Sequence, residues 1–498
     1  MPRKCQRAYV SRTYNEMMEK KKKIKISENS KVEVSKSKEK ESQKENSQQE
    51  KIILHYLKDN EYHFDNHIQI ISDDFEERSK IELYSLNSNE LIEDNKYNFH
   101  GEERTIKMII KEDITDFGYM FSGCKQLIKI DGIMNCSNSI NFRTMFENCS
   151  SLQNLDGLKN WNVSNGTDFY AMFDNCSSLQ NLEGLKNWNV SNGKEFRGMF
   201  ENCSSLKNLD GLKNWNVSNG TNFRAMFSLC SSLQNIDGLK NWNVSNGTNF
   251  YGMFYECSSL QNVDGLKKWN VSNGIDFGAM FCCCSSLQNM DGLKNWNVSN
   301  GKYFGNENDK QVGGGMFSEC SSLQNVDGLK NWNVSNGIYF KDMFAECSSL
   351  QNVDGLINWD VSNGICFIDM FYKCSSLQNV DGLKKWNVSN GIDFPDMFCC
   401  CSSLQNMDGL INWNVSNGID FETMFSECSS LQNLDGLKNW NVSNGTNFER
   451  MFYDCSSLKN VDGLKNWDVS NGTNFYGMLG GCDELSDDKI PKNISEKN

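Results

Sequence analysis

The feature that most constrains this chain is a unit of 27 residues repeated through most of its length. The pair Met-Phe recurs at Met145, Met172, Met199, Met226, Met253 and Met280, then from Met316 to Met451 at the same interval. It closes at Met478-Leu479, and an earlier copy stands 25 residues before the first, at Met120. A single interval is longer: Met280 to Met316 is 36 residues, which places a nine-residue insertion around Gly305–Gly313, a corner expected to be exposed surface. A segment this short cannot bury its own apolar face, so the copies must stack and share one core.

Within one unit, Met145 to Ala171, the apolar positions are Phe146, Cys149, Leu152, Leu155, Leu158, Trp161, Val163 and Phe169. Thirteen cysteines from Cys149 to Cys482 fill one of these positions, and all 12 tryptophans fill another. Stacking therefore predicts ladders of identical side chains, with the cysteines as buried free thiols and not disulfides. The rhythm of Leu152, Leu155 and Leu158 predicts a short parallel strand near Leu155, ended by the turn Asp156-Gly157. The spacing Phe-x-x-Met-Phe-x-x-Cys predicts a short helical turn. The expected class is a repeat solenoid, leucine-rich-repeat-like, with one short parallel β-strand plus a short helical turn per coil. Only Pro395 of three prolines lies in the array, as a strand ladder requires.

Four regions follow. Residues 1–50, rich in Lys, Glu, Ser and Gln, read as a disordered tail with a basic run at Lys20–Lys25. Residues 51–116 carry β-like runs at Lys51–Leu57, His67–Ile71, Lys80–Leu86 and Thr105–Lys111 and read as a small N-terminal α+β/β capping domain. Residues 117–482 are the array of about 13 coils, and 483–498 are a C-terminal tail.

The repeats resemble the BspA-like family of leucine-rich-repeat surface proteins. That family's unit of about 25–26 residues runs Met-Phe-x-x-Cys-x-x-Leu-x-x-Leu-Asp, followed by Trp or Phe and Asp-x-Ser. The corresponding residues are Met145-Phe146, Cys149, Leu152, Leu155-Asp156, Trp161 and Ser164, and Asp360-Val361-Ser362 and Asp468-Val469-Ser470 fit the last part best. The resemblance covers residues 117–482. It implies a leucine-rich-repeat solenoid, a cell-surface location, and adhesion to a protein or cell-surface ligand. Two departures stand beside it: the unit is 27 residues, and Gly157 replaces a strand residue. Residues Met1–Asn15 hold no apolar signal region, which points to the cytoplasm and to an intracellular scaffold as the alternative. End-to-end self-association through imperfectly capped coils is the third reading.

Charge narrows the partners. The chain carries −14, of which residues 1–50 hold +6 and the rest −20, so the body is no nucleic-acid surface. No apolar run reaches the roughly 20 residues of a transmembrane segment. The carboxylate ladder Asp156, Glu183, Asp210 to Asp462 invites Ca²⁺, but Lys159 and its equivalents follow three residues on in ten of twelve coils. The triplets Cys282–Cys284 and Cys399–Cys401 invite zinc, but they share flanking residues, as duplicated blocks do. His55, His63, His67 and His100 complete no metal pattern, and no catalytic constellation stands out, so no cofactor, metal or enzymatic activity is expected. The recurrent Asn-Val-Ser, beginning at Asn162, is expected to bond between coils. The positions that vary are those beside the Phe169-type residue and before the Cys149-type residue. They carry Tyr170, Arg197, Arg224, Tyr251, Tyr255, Lys341, Tyr372, Arg450, Tyr453 and Tyr476, residue types favoured at interface centres, and are expected to face solvent as the ligand-binding surface.

Overall fold

The computed structural model describes residues 51–57, 67–99, 104–305 and 314–497. The basic run Lys20–Lys25, His63, His100 and nearly all of the inserted loop lie outside the described residues.

Seven strands begin the described chain: β1 (Lys51–Tyr56), β2 (Ile68–Gln69), β3 (Ile81–Ser85), β4 (Leu91–Ile92), β5 (Lys96–Tyr97), β6 (Thr105–Ile110) and β7 (Leu127–Asp131). Five form an antiparallel sheet in the order β4-β3-β6-β1-β7, and β2 pairs with β5. The alternation expected of a half-buried strand is visible in β1, where Ile52, Leu54 and Tyr56 are buried between more exposed neighbours. Strand β7 belongs to the first repeat yet pairs with β1, so sheet and array share one core, running from Ile52 to Ile494.

From there the chain is a stack of coils, and each successive pair is joined by a parallel bridge at one residue: Asn141 to Asp168, Asp168 to Glu195, and onward to Asn474. The strand expected near Leu155 is instead a 3-10 turn, Asp156–Leu158, repeated twelve times to Asp462–Leu464. The cause is local. The Asn at the second position before the Asp takes its backbone N–H, as Asn208 Oδ1 accepts from Asp210 N at 3.2 Å, an Asx turn that removes the N–H from any ladder. The glycine of that turn is a matter of space: a Cβ on Gly184 would lie 1.9 Å from the Leu155 carbonyl oxygen of the preceding coil.

The interior is a set of parallel columns. Phe169 and Phe196 stack with centroids 5.6 Å apart and planes 5° from parallel, and Trp215 and Trp242 stack at 6.2 Å and 2°. Each indole N–H finds a carbonyl of the preceding coil, as Trp188 donates to Leu158 O at 2.9 Å, so a large ring is buried without an orphaned donor. The cysteine column does likewise: the Cys176 thiol donates to Phe146 O at 3.2 Å. Burial pushes these thiols well above their usual range, which suits inert packing groups. The N-terminal sheet region imitates a coil here, because Cys124 Sγ donates to Ile70 O and Ser72 N to Met120 O.

The recurrent Asn-Val-Ser bonds within its own coil, with Asn189 Oδ1 accepting from Ser191 N. The bond between coils belongs to the Asn after that Ser, as Asn192 Nδ2 donates to Ser164 O at 2.8 Å. The final segment is more than a tail. Helix α1 (Lys492–Ser495) buries Ile494 against the core, and Asn493 Nδ2 donates to Leu464 O and Trp467 O.

Candidate functional site

One segment of each coil presents the variable residues, and it is no helix. In Phe169–Cys176, the N–H groups of Phe169, Ala171, Phe173 and Asn175 donate to the carbonyls of Glu195, Arg197, Met199 and Glu201 in the next coil, at 2.8–2.9 Å. The intervening turns close internally, Met172 N to Phe169 O and Cys176 N to Phe173 O. A helix would direct these N–H groups along itself. Here Ala171 (φ 49) and Asn175 (φ 60) enter the left-handed region and redirect them. The same two positions are left-handed coil after coil, occupied by residues such as Thr144, Asp342, Asp369 and Arg450. Such residues cost about 1–2 kcal/mol each, a strain held in place by the ladder on either side. The ladder also explains Pro395. At the equivalent Tyr170, the N–H bonds only to Asp168 Oδ1 of its own coil, so a proline there loses no ladder bond.

Phe169, Met172, Phe173 and Cys176 point inward, while residues 170, 171, 174 and 175 form four adjacent outer columns. Tyr170, Arg197, Arg224, Tyr251, Lys341 and Tyr476 share the first of them. Arg450 is in the second, and Tyr255, Tyr372 and Tyr453 are in the third. The structure gathers them into distinct groups. Near the N-terminal end the Arg143 and Arg197 guanidiniums lie over the Tyr170 ring, 4.4 and 5.5 Å from its centroid, and Arg224 lies 4.2 Å from that of Tyr251. Near the C-terminal end Arg450 lies between Tyr453 and Tyr476, at 5.7 and 5.4 Å. Lys341 and Tyr372 fall between the groups, and Lys373 pairs with Glu346 at 3.1 Å.

One of these residues does not face solvent. Tyr251 is only 5% exposed, because the small side chains of Ala279 and Cys282 let its ring fold down against them and Arg224 covers it. Burial raises its hydroxyl pKa, with Arg224 opposing.

Sequence reasoning passed over three features of this face. Arg143 opens the cationic column. A ladder of carboxylates, Asp342, Asp369 and Asp396, occupies the second outer column in three successive coils. Burial first, then Asp342 and Asp396, push the Asp369 carboxyl up to about 7, with Lys341 opposing. The third is the pairing of adjacent thiols, Cys282 with Cys283 and Cys399 with Cys400. The 27-residue offset was the available signal, since it places 342, 369 and 396 above one another.

A separate corner carries a shallow groove lined by Ile365, Ile392, Ile419 and Thr446 beside the exposed Asn363, Asn390, Asn417 and Asn444. Elsewhere His55 bonds to Asp131 at 2.8 Å in the sheet, away from the turn face.

The stacked coils and their antiparallel N-terminal sheet define a tandem-repeat protein. The family described as Mycoplasma protein of unknown function, DUF285, matches residues 93–210, 207–310, 313–407 and 370–493, and the chain belongs to that family. Among curated proteins none matches it. No helix among the described residues is long and apolar enough to cross a membrane.

Proposed function

We propose that this chain is a non-catalytic protein-binding platform, a leucine-rich-repeat-like solenoid of the BspA-like kind, with the turn face as its contact surface. The observation that supports this reading is the contrast between columns. The inner Phe, Met and Cys columns of the turn segment hold one residue type almost throughout, while the outer columns change from arginine and tyrosine to cysteine, carboxylate and back. Arg and Tyr clusters on a backbone fixed from both sides lose little conformational entropy on binding, which favours them as interface anchors. Adhesion at a cell surface is the first form of this function, and an intracellular scaffold the second.

The test uses three versions of the full chain as bait on host material: wild type, a turn-face variant (Tyr170→Ser, Arg197→Ser, Tyr476→Ser) and a control with Lys240→Ser on the Asp-Gly-Leu side. The expected result is a partner cross-linked by wild type and control and lost from the turn-face variant. Identical capture by all three would overturn the assignment of the face. Impermeant labelling of intact cells then separates the two forms.

A specific observation favours self-association as a second reading. Most coils donate forward through four N–H groups, and in the last described coil the equivalent groups belong to Phe475, Gly477, Leu479 and Gly481, to which no described coil offers carbonyls. Sedimentation equilibrium over a range of concentrations tests it, and a concentration-independent monomer mass would dismiss it.

A further inference from the structure

Twenty cysteines are described, none of them in a disulfide, and all but two of them are buried. The two are Cys283 and Cys400, each the second member of an adjacent pair on the turn face. Cys282 Sγ and Cys283 Sγ lie 3.4 Å apart, and Cys399 Sγ and Cys400 Sγ 3.5 Å. Backbone geometry makes the approach. Cys283 and Cys400 both have φ 61, and the left-handed turn brings each side chain back toward its neighbour. The peptide joining each pair is anchored on both sides: Lys373 N donates to Cys399 O and Cys400 N to Ser426 O, both at 2.8 Å.

The two pairs have matching neighbours in one column and different ones in the other. Cys282 lies between Tyr255 and Ser318, and Cys399 between Tyr372 and Ser426. Cys283, however, sits between two carboxylates, Glu256 and Glu319, whereas Cys400 sits between Lys373 and Glu427, whose Oε2 is 3.5 Å from its sulfur. A thiolate at Cys283 therefore faces negative charge from both adjacent coils, and one at Cys400 has a cation on one side.

We propose that Cys399–Cys400 is a redox site, in which Cys400 is the nucleophile toward hydrogen peroxide and Cys399 the resolving thiol, and that Cys282–Cys283 is its slow counterpart. Cys400 loses its proton to solvent, and the thiolate attacks one peroxide oxygen. The O–O bond breaks, Cys400 becomes a sulfenic acid, and the departing hydroxide takes up a proton as water. The Cys399 sulfur then attacks the Cys400 sulfur, the S–O bond breaks, and hydroxide leaves as water with the Cys399 proton. Two thiols are oxidised by two electrons to one disulfide, and one peroxide is reduced to two waters. Closure needs the sulfurs to move from 3.5 Å to about 2.05 Å. Consecutive Cα atoms are about 3.8 Å apart, less than the usual disulfide span, so a thiol reductant reopens the ring readily.

Hydrogen bonding from Cys399 holds the Cys400 thiol below its ordinary range against burial and Glu427, with Lys373 assisting. Hydrogen bonding to Cys282 and burial push Cys283 up, and Glu319 and Glu256 add to this. The buried ladder thiols beside them, Cys284 and Cys401, are raised by burial and take no part.

The experiment treats the intact full chain with limiting N-ethylmaleimide, or with one equivalent of hydrogen peroxide followed by alkylation, and locates the changes by peptide mass spectrometry. Cys400 is expected to alkylate at least about tenfold faster than Cys283. Peroxide is expected to make the Cys399–Cys400 segment about 2 Da lighter and refractory to two alkylations, reversed by dithiothreitol, before the Cys282–Cys283 segment changes. Lys373→Glu gives Cys400 the surroundings of Cys283 and is expected to bring its rate down to that of Cys283. Cys399→Ala is expected to slow Cys400 alkylation, since it removes the hydrogen bond that favours the thiolate, without abolishing it, while peroxide stops at sulfenic or higher acids. Equal rates at the two pairs, an unchanged rate in Lys373→Glu, or higher acids at Cys400 in the wild-type chain would each overturn the proposal.

Discussion

The inner and outer columns of the turn segment are made by the same backbone and obey different rules. Phe169, Met172, Phe173 and Cys176 are at most fractionally exposed and recur almost unchanged, because each must fit the identical residue one coil away. Residues 170, 174 and 175 are partly exposed while Ala171 is buried, and the left-handed backbone of this segment accepts Ala, Asp, Thr, Glu, Lys and Arg. The ladder of N–H donors, not the side chain, sets the outer backbone. Sequence variation is thereby freed to specify a surface without disturbing the stack.

The largest effect expected in testing that contrast comes from the position with no room at all. Gly238→Ala would put a Cβ 2.0 Å from Leu209 O, a backbone atom that moves only if the coils part. A loss of about 4 kcal/mol or more is expected, with hydrogen exchange rising first in the coils around Gly238, since a repeat array opens locally. A uniform loss of protection through the array would show that cooperativity is longer-ranged. Next comes Trp242→Ala, which empties an indole site stacked on both faces and removes one of the two donors to Leu212 O, leaving Trp215 N. Denaturant titration is expected to show a loss of about 3–5 kcal/mol.

The sequence discloses periods and burial more readily than it discloses direction. Residues that repeat every 27 positions locate the core columns, the free thiols and the surface, because burial depends on side-chain type. Whether Leu155 begins a strand or a turn depends on where one N–H points, and the Asn two residues before the Asp decided that against the strand. The Phe-x-x-Met-Phe spacing fits a helix equally well until the left-handed residues are known, and nothing in Ala171 or Asp342 announces a positive φ. The residue type of Tyr251 permits exposure and places it with the solvent-facing positions. Its burial follows from the smallness of Ala279 one coil on, a pairing visible only after the coils are stacked. The cysteine triplets were visible at once, but their proximity to Lys373 in one pair and to two glutamates in the other requires the stack.

The carboxylate ladder gives a smaller and pH-dependent effect. Asp369, pushed up to about 7 by burial and by Asp342 and Asp396, holds its proton in the native state over a range where the unfolded chain has released it. The native state then binds more protons than the unfolded state, so stability falls as pH rises from about 4 to about 7, and the loss is complete above that. Asp369→Asn is expected to remove this slope and to stabilise the array at pH 8 by on the order of 2 kcal/mol relative to its effect at pH 4. Asparagine also suits left-handed backbone, but that contribution is independent of pH, so the difference between the two pH values isolates the carboxyl. Urea midpoints at pH 4 and pH 8 that shift equally would remove the ladder as the cause.

The smallest effect on stability is expected where the contrast predicts the freest position. Tyr476 is 68% exposed in the last coil, over Arg450 on one side and with no coil on the other. Its N–H bonds to Asn474 Oδ1, a bond that survives any change of side chain. Tyr476→Ser is expected to change the urea midpoint by less than about 0.5 kcal/mol equivalent. Arg197→Ser is expected to do nearly the same, losing one face of the Tyr170 contact while Arg143 retains the other. A loss above about 2 kcal/mol from Arg197→Ser would mean that the cationic column helps hold the coils together, and that variation on this face is under structural as well as binding constraint. Unchanged stability with loss of a cross-linked partner would place the purpose of these residues outside the fold.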